Sequence, residues 1–426
     1  MELTIEKLIY GGDGLARVNS GERAKTIFIP YVLPGERVQA SIVNQKPGFS
    51  YAALDQVLEP SKLRSSPPCP YFGKCGGCQY QHIGYADQLR FKAEILKETL
   101  RRVGKLELSI EIQSHPSPPF NYRNRTRFHV RTTPEFAIGY FRHASHELLP
   151  VRECPISSPL INRLLAELWK LSQEQRIPPE IEEIELFAND SDKTCLVELY
   201  VQESAGKIAL QTFANLFSRA VPETVGIVSF RSSRKFDGIP NLLWGEPSIN
   251  YAVGGETYGV SAGAFFQTNR HQVTRMVELV VNDRKGKLAL DLYSGVGLFT
   301  LPLARRFERV IAVESSSASA GDLRANVQAN VKISAQSTDK YLTSAAGTLR
   351  PDLVVVDPPR SGLGTAVCRE VLKLSARELV YVSCDPATLA RDLKQFTAGK
   401  FKIAEMHLID LFPQTFHIET CTVLRR

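Results

Sequence analysis

Residues 288–300 read Leu288-Ala-Leu-Asp-Leu-Tyr-Ser-Gly-Val-Gly-Leu-Phe-Thr300. An apolar run runs into a turn with two glycines and then a helix start, the opening of a strand–turn–helix unit. A second strand, Arg309-Val-Ile-Ala-Val-Glu314, follows at helix-length separation and ends on a carboxylate. Working outward, Leu353–Val356 and Leu379–Val382 repeat the pattern of a short β-branched run followed by a helical segment. Strands alternating with helices predict a doubly wound parallel sheet of Rossmann type from about residue 259. The last two strands, Lys402–Leu408 and Ile418–Leu424, lie too close together for a crossover, so an antiparallel pair is expected at the end.

The turn is not a full dinucleotide fingerprint, because Thr300 stands where a third glycine would be. Glu314, about twenty positions after the turn, would accept hydrogen bonds from a ribose diol, which dinucleotides and S-adenosylmethionine share. Asp291 ahead of the turn and Asp357-Pro-Pro-Arg360 after a later strand fit the methyl donor better. Asp357 could otherwise cap the turn that follows it. Glu378-Leu-Val-Tyr-Val-Ser383 is a buried strand, and Cys384 sits at its carboxyl end ahead of a helix opened by Pro386 and Thr388. Open α/β sheets bind ligands at that edge. The plainer reading of Cys384 is a small buried residue.

Upstream, residues 1–60 alternate apolar and polar positions between Gly-Gly-Asp-Gly and Leu-Pro-Gly-Glu turns, the pattern of a small OB-like β-barrel. Ser65-Ser-Pro-Pro68 breaks it. Residues 61–258 mix helices (Tyr85–Val103, Leu160–Gln175) with strands such as Cys195–Gln202, an α+β region. At its start, Cys69, Cys75 and Cys78 share a loop with spacing C-x5-C-x2-C, and Cys154 is a fourth candidate. Four thiolates can hold zinc or a [4Fe–4S] cluster, and Cys-Pro at 69–70 and 154–155 favours iron–sulfur.

The chain carries +7, but Ser61–Ser145 alone holds fourteen Lys or Arg against six Asp or Glu. The rest is close to neutral. Within that stretch Arg123, Arg125, Arg127, His129 and Arg131 occupy every second position, so on a strand they share one face, with Tyr122, Phe128 and Val130 packing opposite. Such a row suits RNA phosphates, whereas a solvated charged edge would need no partner. No basic n-region with an apolar stretch opens the chain, and no eighteen apolar residues run together, so a cytoplasmic protein without a membrane partner is expected.

Together these residues resemble the RNA uracil-5-methyltransferases, in particular the iron–sulfur branch that includes the 23S ribosomal RNA enzymes. The resemblance spans the chain: a TRAM domain of OB type, CPYFGKCGGC with Cys154, SAGAFFQTN, DLYSGVGLF, DPPRSGL, VSCDPATLARDL and DLFPQTFHIE. It implies Cys384 as nucleophile, Glu419 as base, and Gln267, Tyr293, Glu314 and Asp357 as contacts to S-adenosylmethionine. It also implies Cys69, Cys75, Cys78 and Cys154 as ligands of a [4Fe–4S] cluster, and RNA as partner of a chain expected to be monomeric. Leu298 stands where the best-known members carry a polar residue, so it is assigned no contact. Phe265 is a candidate neighbour of the target base. The product would be 5-methyluridine in ribosomal RNA, with transfer RNA as the alternative substrate. An RNA N-methyltransferase would leave Cys384 and Glu419 unexplained, and a non-catalytic iron–sulfur RNA-binding protein would leave three intact motifs unexplained.

Overall fold

A computed structural model of the chain describes residues 1–20, 23–231, 240–345 and 347–426. The first six strands, Glu2–Thr4, Lys7–Leu8, Asp13–Ser20, Arg23–Pro30, Arg37–Lys46 and Phe49–Glu59, form one sheet. It is antiparallel except where Arg23–Pro30 meets Phe49–Glu59. Period-two alternation turns Ile27 and Ile29 inward against Leu3, Ile5, Val32 and Val38, all buried. Glycine is needed at Gly14, where a Cβ would stand 2.3 Å from Val32 Cγ2.

The next sheet has seven strands, from Arg125–Arg131 to Asn241–Gly245. One face packs on helices Pro159–Gln173 and Lys207–Ala220 through Phe128, Ile184, Leu186 and Leu199. The other face carries the arginine row, and here the structure corrects the expectation of an open phosphate-binding surface. The neighbouring strand Ile181–Ala188 sets Glu183 opposite His129 and Glu185 opposite Arg127. Arg125 pairs with Glu185 and with the fully buried Glu198 at 3.1 Å, and Arg127 pairs with Glu185 at 2.8 Å. His129 meets Glu183 at 2.9 Å. Alternation does put the cations on one face; carboxylates contributed by later sequence meet Arg125, Arg127 and His129 there.

Eight strands make the third sheet. Their order is Val331–Ala335, Phe307–Glu314, Gly286–Leu292, Leu353–Val356, Glu378–Ser383, Glu419–Arg425, Lys402–Ile409 and Ile112–His115. The first five are parallel, and Glu419–Arg425 runs antiparallel to both its neighbours, as the sequence pattern predicts. Ile112–His115 is unexpected: it adds in parallel to the outer edge beside Lys402–Ile409. Helix Tyr85–Thr99 joins the same core, its Phe91, Ile95 and Leu96 stripe packing with Leu389, Leu393 and Phe396. The expected limit at 258/259 therefore does not follow the packing. It falls inside the strand Glu256–Ser261, and residues 85–115 pack with the C-terminal sheet. A helix with such a stripe must bury it, and the nearest apolar surface belongs to that sheet. Among the described residues no helix is long and apolar enough to cross a membrane.

Candidate active site

The geometry of the third sheet brings its chemistry to one edge. Tyr293, Asp357 and Cys384 each follow a parallel strand directly, and Glu314 ends another. Glu419 opens the antiparallel strand paired with Glu378–Ser383, in the register Ser383↔Thr420. Reversal of direction puts the start of that strand at the carboxyl ends of the others. Gln267 enters on the segment after the hairpin Ser248–Ser261. All six side chains border one cavity of about 500 Å³, together with Arg360 and His417. Leu298 also lines it, and Phe265 stands at its mouth, 65% exposed. Cys421, the other thiol near Glu419, is fully buried in the sheet's core opposite His407.

Local conformation is specialised around the glycine turn. Tyr293 has φ of 63°, a left-handed conformation that costs a bulky residue energy and is maintained where function requires it. Gly297, at φ 97°, lets the turn pass Leu323, whose Cδ1 would lie 2.9 Å from an added Cβ. Glu314 is fixed by two amides: Gly295 N donates to Oε2 at 2.8 Å and Ser316 N to Oε1 at 2.6 Å. Each carboxylate oxygen keeps a lone pair for a further donor. The Ser294 hydroxyl and Asp291 Oδ1 are buried without a protein partner, while Thr300 donates to Asp291 Oδ2. Unsatisfied polar atoms beside a cavity fit a polar ligand that supplies the missing hydrogen bonds.

Burial controls the ionisation of the site. It pushes the Cys384 thiol up to about 12, aided by Glu419 and Asp357 and opposed by Arg360. The Glu419 carboxyl is raised well above its ordinary range by burial and then by Asp357, again against Arg360. Asp357 rises to about 7 through burial and its neighbour Asp291, and Asp291 rises to about 7 through burial. Burial lowers His417 to about 4, leaving it neutral. At neutral pH the Cys384 thiol is therefore protonated, while burial favours the neutral form of the Glu419 carboxyl.

The turn that delivers Glu419 is held from outside the sheet. Lys92 Nζ, fully buried, donates to Asp410 Oδ1 at 2.7 Å and to the Phe412 carbonyl at 3.0 Å. The Tyr85 hydroxyl donates to Asp410 Oδ2 at 2.9 Å. Gln88 and Gln414 exchange hydrogen bonds, and the Gln79 and Tyr80 amides both donate to the Gln414 carbonyl. Sequence reasoning missed these residues. One signal was present: a lysine set inside the apolar stripe Phe91, Ile95, Leu96 needs a buried counter-charge.

Cys69, Cys75, Cys78 and Cys154 are free thiols bordering a second cavity, of about 220 Å³, with Tyr71, Tyr140 and Arg123. Burial raises Cys75 to about 11, and Cys78 higher still, with the neighbouring thiols adding to both shifts. Gly73 turns the loop at φ 79°. Among the described residues no three His, Cys, Asp or Glu side chains gather as they would around a single metal ion.

Residues 84–426 match the family described as tRNA (Uracil-5-)-methyltransferase, and residues 1–54 match the TRAM domain. An uncharacterized RNA methyltransferase of Aquifex aeolicus is 33% identical over 431 residues, covering 100% of this chain and 98% of its own. The 23S rRNA (uracil(1939)-C(5))-methyltransferase of Halomonas elongata is 32% identical over 442 residues, covering 99% and 89%. Among solved structures, the tRNA (uracil-54, C5)-methyltransferase of Pyrococcus abyssi in complex with S-adenosyl-L-homocysteine superposes with a TM-score of 0.77. It shares 25% identity over 100% of both chains. The motifs at the sheet edge and the match of the chain from end to end agree: this protein belongs to the tRNA (uracil-5-)-methyltransferase family and carries a TRAM domain at its N-terminus.

Proposed function

We propose that the protein methylates C5 of uridine in RNA, with 23S ribosomal RNA as substrate, S-adenosylmethionine as donor and Cys384 as nucleophile. The observation that carries this reading is the convergence of Cys384 and Glu419, from adjacent antiparallel strands, on one cavity. A site for N-methylation or for RNA binding alone has no use for that pair. The Halomonas relative supports ribosomal over transfer RNA.

C5 of uracil is a poor carbon nucleophile until a thiolate adds to C6 and turns the ring into an enolate. Cys384 is the group that adds. Since burial keeps its thiol protonated, the proton passes to solvent water as the uracil arrives, and Arg360 is the cation on the cavity that favours the thiolate. S-adenosylmethionine, when bound, supplies an electrophilic methyl group. Glu314 would hold it by accepting from the ribose hydroxyls, and Gln267, Tyr293 and Asp357 would line the remainder of its site. After methylation C5 bears both a methyl group and a proton. Glu419, ionised by that stage, takes the proton; the C5 electron pair re-forms the double bond and the C6–S bond breaks, returning Cys384 as thiolate.

Part of the same proposal is a [4Fe–4S] cluster held by Cys69, Cys75, Cys78 and Cys154. Its support is a set of four cysteines, none paired in a disulfide, that border one cavity, with Cys-Pro at 69–70 and 154–155. Bound there, it would cross-link the 69–78 loop to the segment at Cys154. The N-terminal sheet is read as an OB-like RNA-binding module, and the enzyme as a cytoplasmic monomer.

The test uses unmodified 23S rRNA transcript and, in parallel, tRNA transcripts. Glu419→Gln should permit addition and methyl transfer but not release, so an RNA–protein adduct accumulates as a shifted band on a denaturing gel. The adduct should require Cys384 and survive Cys421→Ala. Methylation retained in Cys384→Ala would sink the assignment.

A further inference from the structure

Tyr10 lies in the turn between Lys7–Leu8 and Asp13–Ser20 of the N-terminal sheet, yet it reaches the catalytic edge of the third sheet. Its hydroxyl donates to the Cys384 carbonyl oxygen at 3.4 Å, across 374 residues of sequence. The same hydroxyl faces the Asp385 carboxylate, which, after burial, keeps the phenol protonated. The Tyr10 ring stands edge-on to Phe416, with centroids 5.4 Å apart, and Phe416 in turn lies 4.3 Å from the His417 ring on the cavity wall. One side chain thus touches both the nucleophile's turn and the segment leading to Glu419.

The approach is built rather than incidental. Leu8 of the N-terminal sheet and Leu33, in the loop between its strands Arg23–Pro30 and Arg37–Lys46, are buried in the same core as Leu389 and Phe396. Lys7 pairs with Glu98 on the helix Tyr85–Thr99. Gly12, at φ 96°, lets the Tyr10 loop come so close that an added Cβ would lie 2.8 Å from Gln79 Cβ and 3.5 Å from Phe416 Cβ. Within the turn, Asp385 Oδ1 is already used by the Ala387 and Thr388 amides at the start of the next helix.

We propose that Tyr10 is a positioning residue for Cys384, tying the nucleophile's turn to the Phe416–Glu419 segment so that the N-terminal domain completes the catalytic site. The inference rests on Cys384 being the nucleophile. It assigns the N-terminal domain a part in the chemical step, separate from any affinity for RNA.

Tyr10→Phe keeps the ring against Phe416 and removes only the hydroxyl. With full-length protein, saturating S-adenosylmethionine and a 5-fluorouridine-substituted 23S transcript, whose adduct cannot be released by loss of a C5 proton, the single-turnover rate of adduct formation should fall about tenfold. That is the factor expected from one hydrogen bond of ordinary net strength. Dissociation constants for RNA and donor should stay within twofold and the melting temperature should fall by no more than a few degrees, leaving the protein fully folded at the assay temperature, a split that a purely structural role would not give. A rate within twofold of wild type overturns the inference, as does weakened RNA binding with an unchanged rate at saturation. Gly12→Ala, which pushes the loop off Gln79 while leaving Tyr10 intact, should reproduce the rate loss; an unchanged rate in that variant also overturns it. Cys384→Ala is run alongside. An adduct in that variant brings down the nucleophile assignment itself, whereas its absence with an unaffected Tyr10→Phe brings down only the role of Tyr10.

Discussion

Cys384 should be a slow thiol in the free enzyme, and by a predictable amount. Its pKa is pushed up to about 12 by burial and by the carboxyl groups of Glu419 and Asp357. Against an unperturbed cysteine of about 8.5, the thiolate fraction at pH 8 is lower by roughly 2,000-fold. A more basic thiolate is a better nucleophile; with a Brønsted coefficient of about 0.4–0.5 the gain is roughly 40-fold. The net expectation is thiol–disulfide exchange roughly fifty-fold slower than free cysteine at pH 8. Below its pKa the rate should rise about tenfold per pH unit, without a plateau between about pH 7 and 10. The assay treats folded protein with a small aromatic disulfide, quenches with acid, and quantifies the modified tryptic peptide Glu378–Arg391, in which Cys384 is the one cysteine. Glu419→Gln removes the largest electrostatic cause after burial and should speed the reaction. A plateau reached by about pH 9, or a rate equal to that of free cysteine, would refute the reasoning and mean that the site stabilises the thiolate before substrate binds.

Lys92→Met should destabilise the fold by about 3–5 kcal/mol in urea titrations, because it strands the buried Asp410 carboxylate, and adding Asp410→Leu should recover most of the loss. No recovery in the double variant would mean the pair is not coupled. Arg125→Gln should likewise lower stability by a few kcal/mol, since Glu185 and Glu198 lose a partner, whereas an unchanged melting point with a flatter salt dependence of RNA binding would restore the row as a phosphate contact. Anaerobically purified protein should be brown with about four irons per chain, and Cys75→Ala should be colourless; a colourless, zinc-containing, fully active wild type would defeat the cluster.

What could be read from the chain beforehand depended on how local the signal was. Cys384, Asp357 and Glu314 each sit where an apolar run stops, so strand ends and side chains are legible together, whereas Tyr293 and Glu419 follow only from the family resemblance; all five border the same cavity. The arginine row shows the opposite case. Its spacing predicts one face of a strand, which Arg125–Arg131 forms with Arg123 just outside it, but its counter-charges Glu183, Glu185 and Glu198 come some sixty residues later and are invisible to a local count of charge. Ile112–His115 was missed because four residues without strict alternation do not declare a strand; only the empty edge beside Lys402–Ile409 makes them one. Tyr10 and Gln88 act through partners more than three hundred residues away.

The same edge strand has a consequence for how the chain is made. Ile112–His115 pairs with Met406–Ile409, and Lys92 meets Asp410 across 318 positions, so these early segments lack their partners in the catalytic sheet until synthesis is nearly finished. On a ribosome adding about 5–20 residues per second, the Phe91, Ile95 and Leu96 stripe then waits tens of seconds after it emerges for Leu389, Leu393 and Phe396. The N-terminal sheet and the seven-stranded sheet can mature during that interval, but the catalytic sheet closes only when the final hairpin leaves the exit tunnel. High contact order of this kind makes closure slow and leaves the unfinished chain open to aggregation, which gives a chaperone a specific window in which to act.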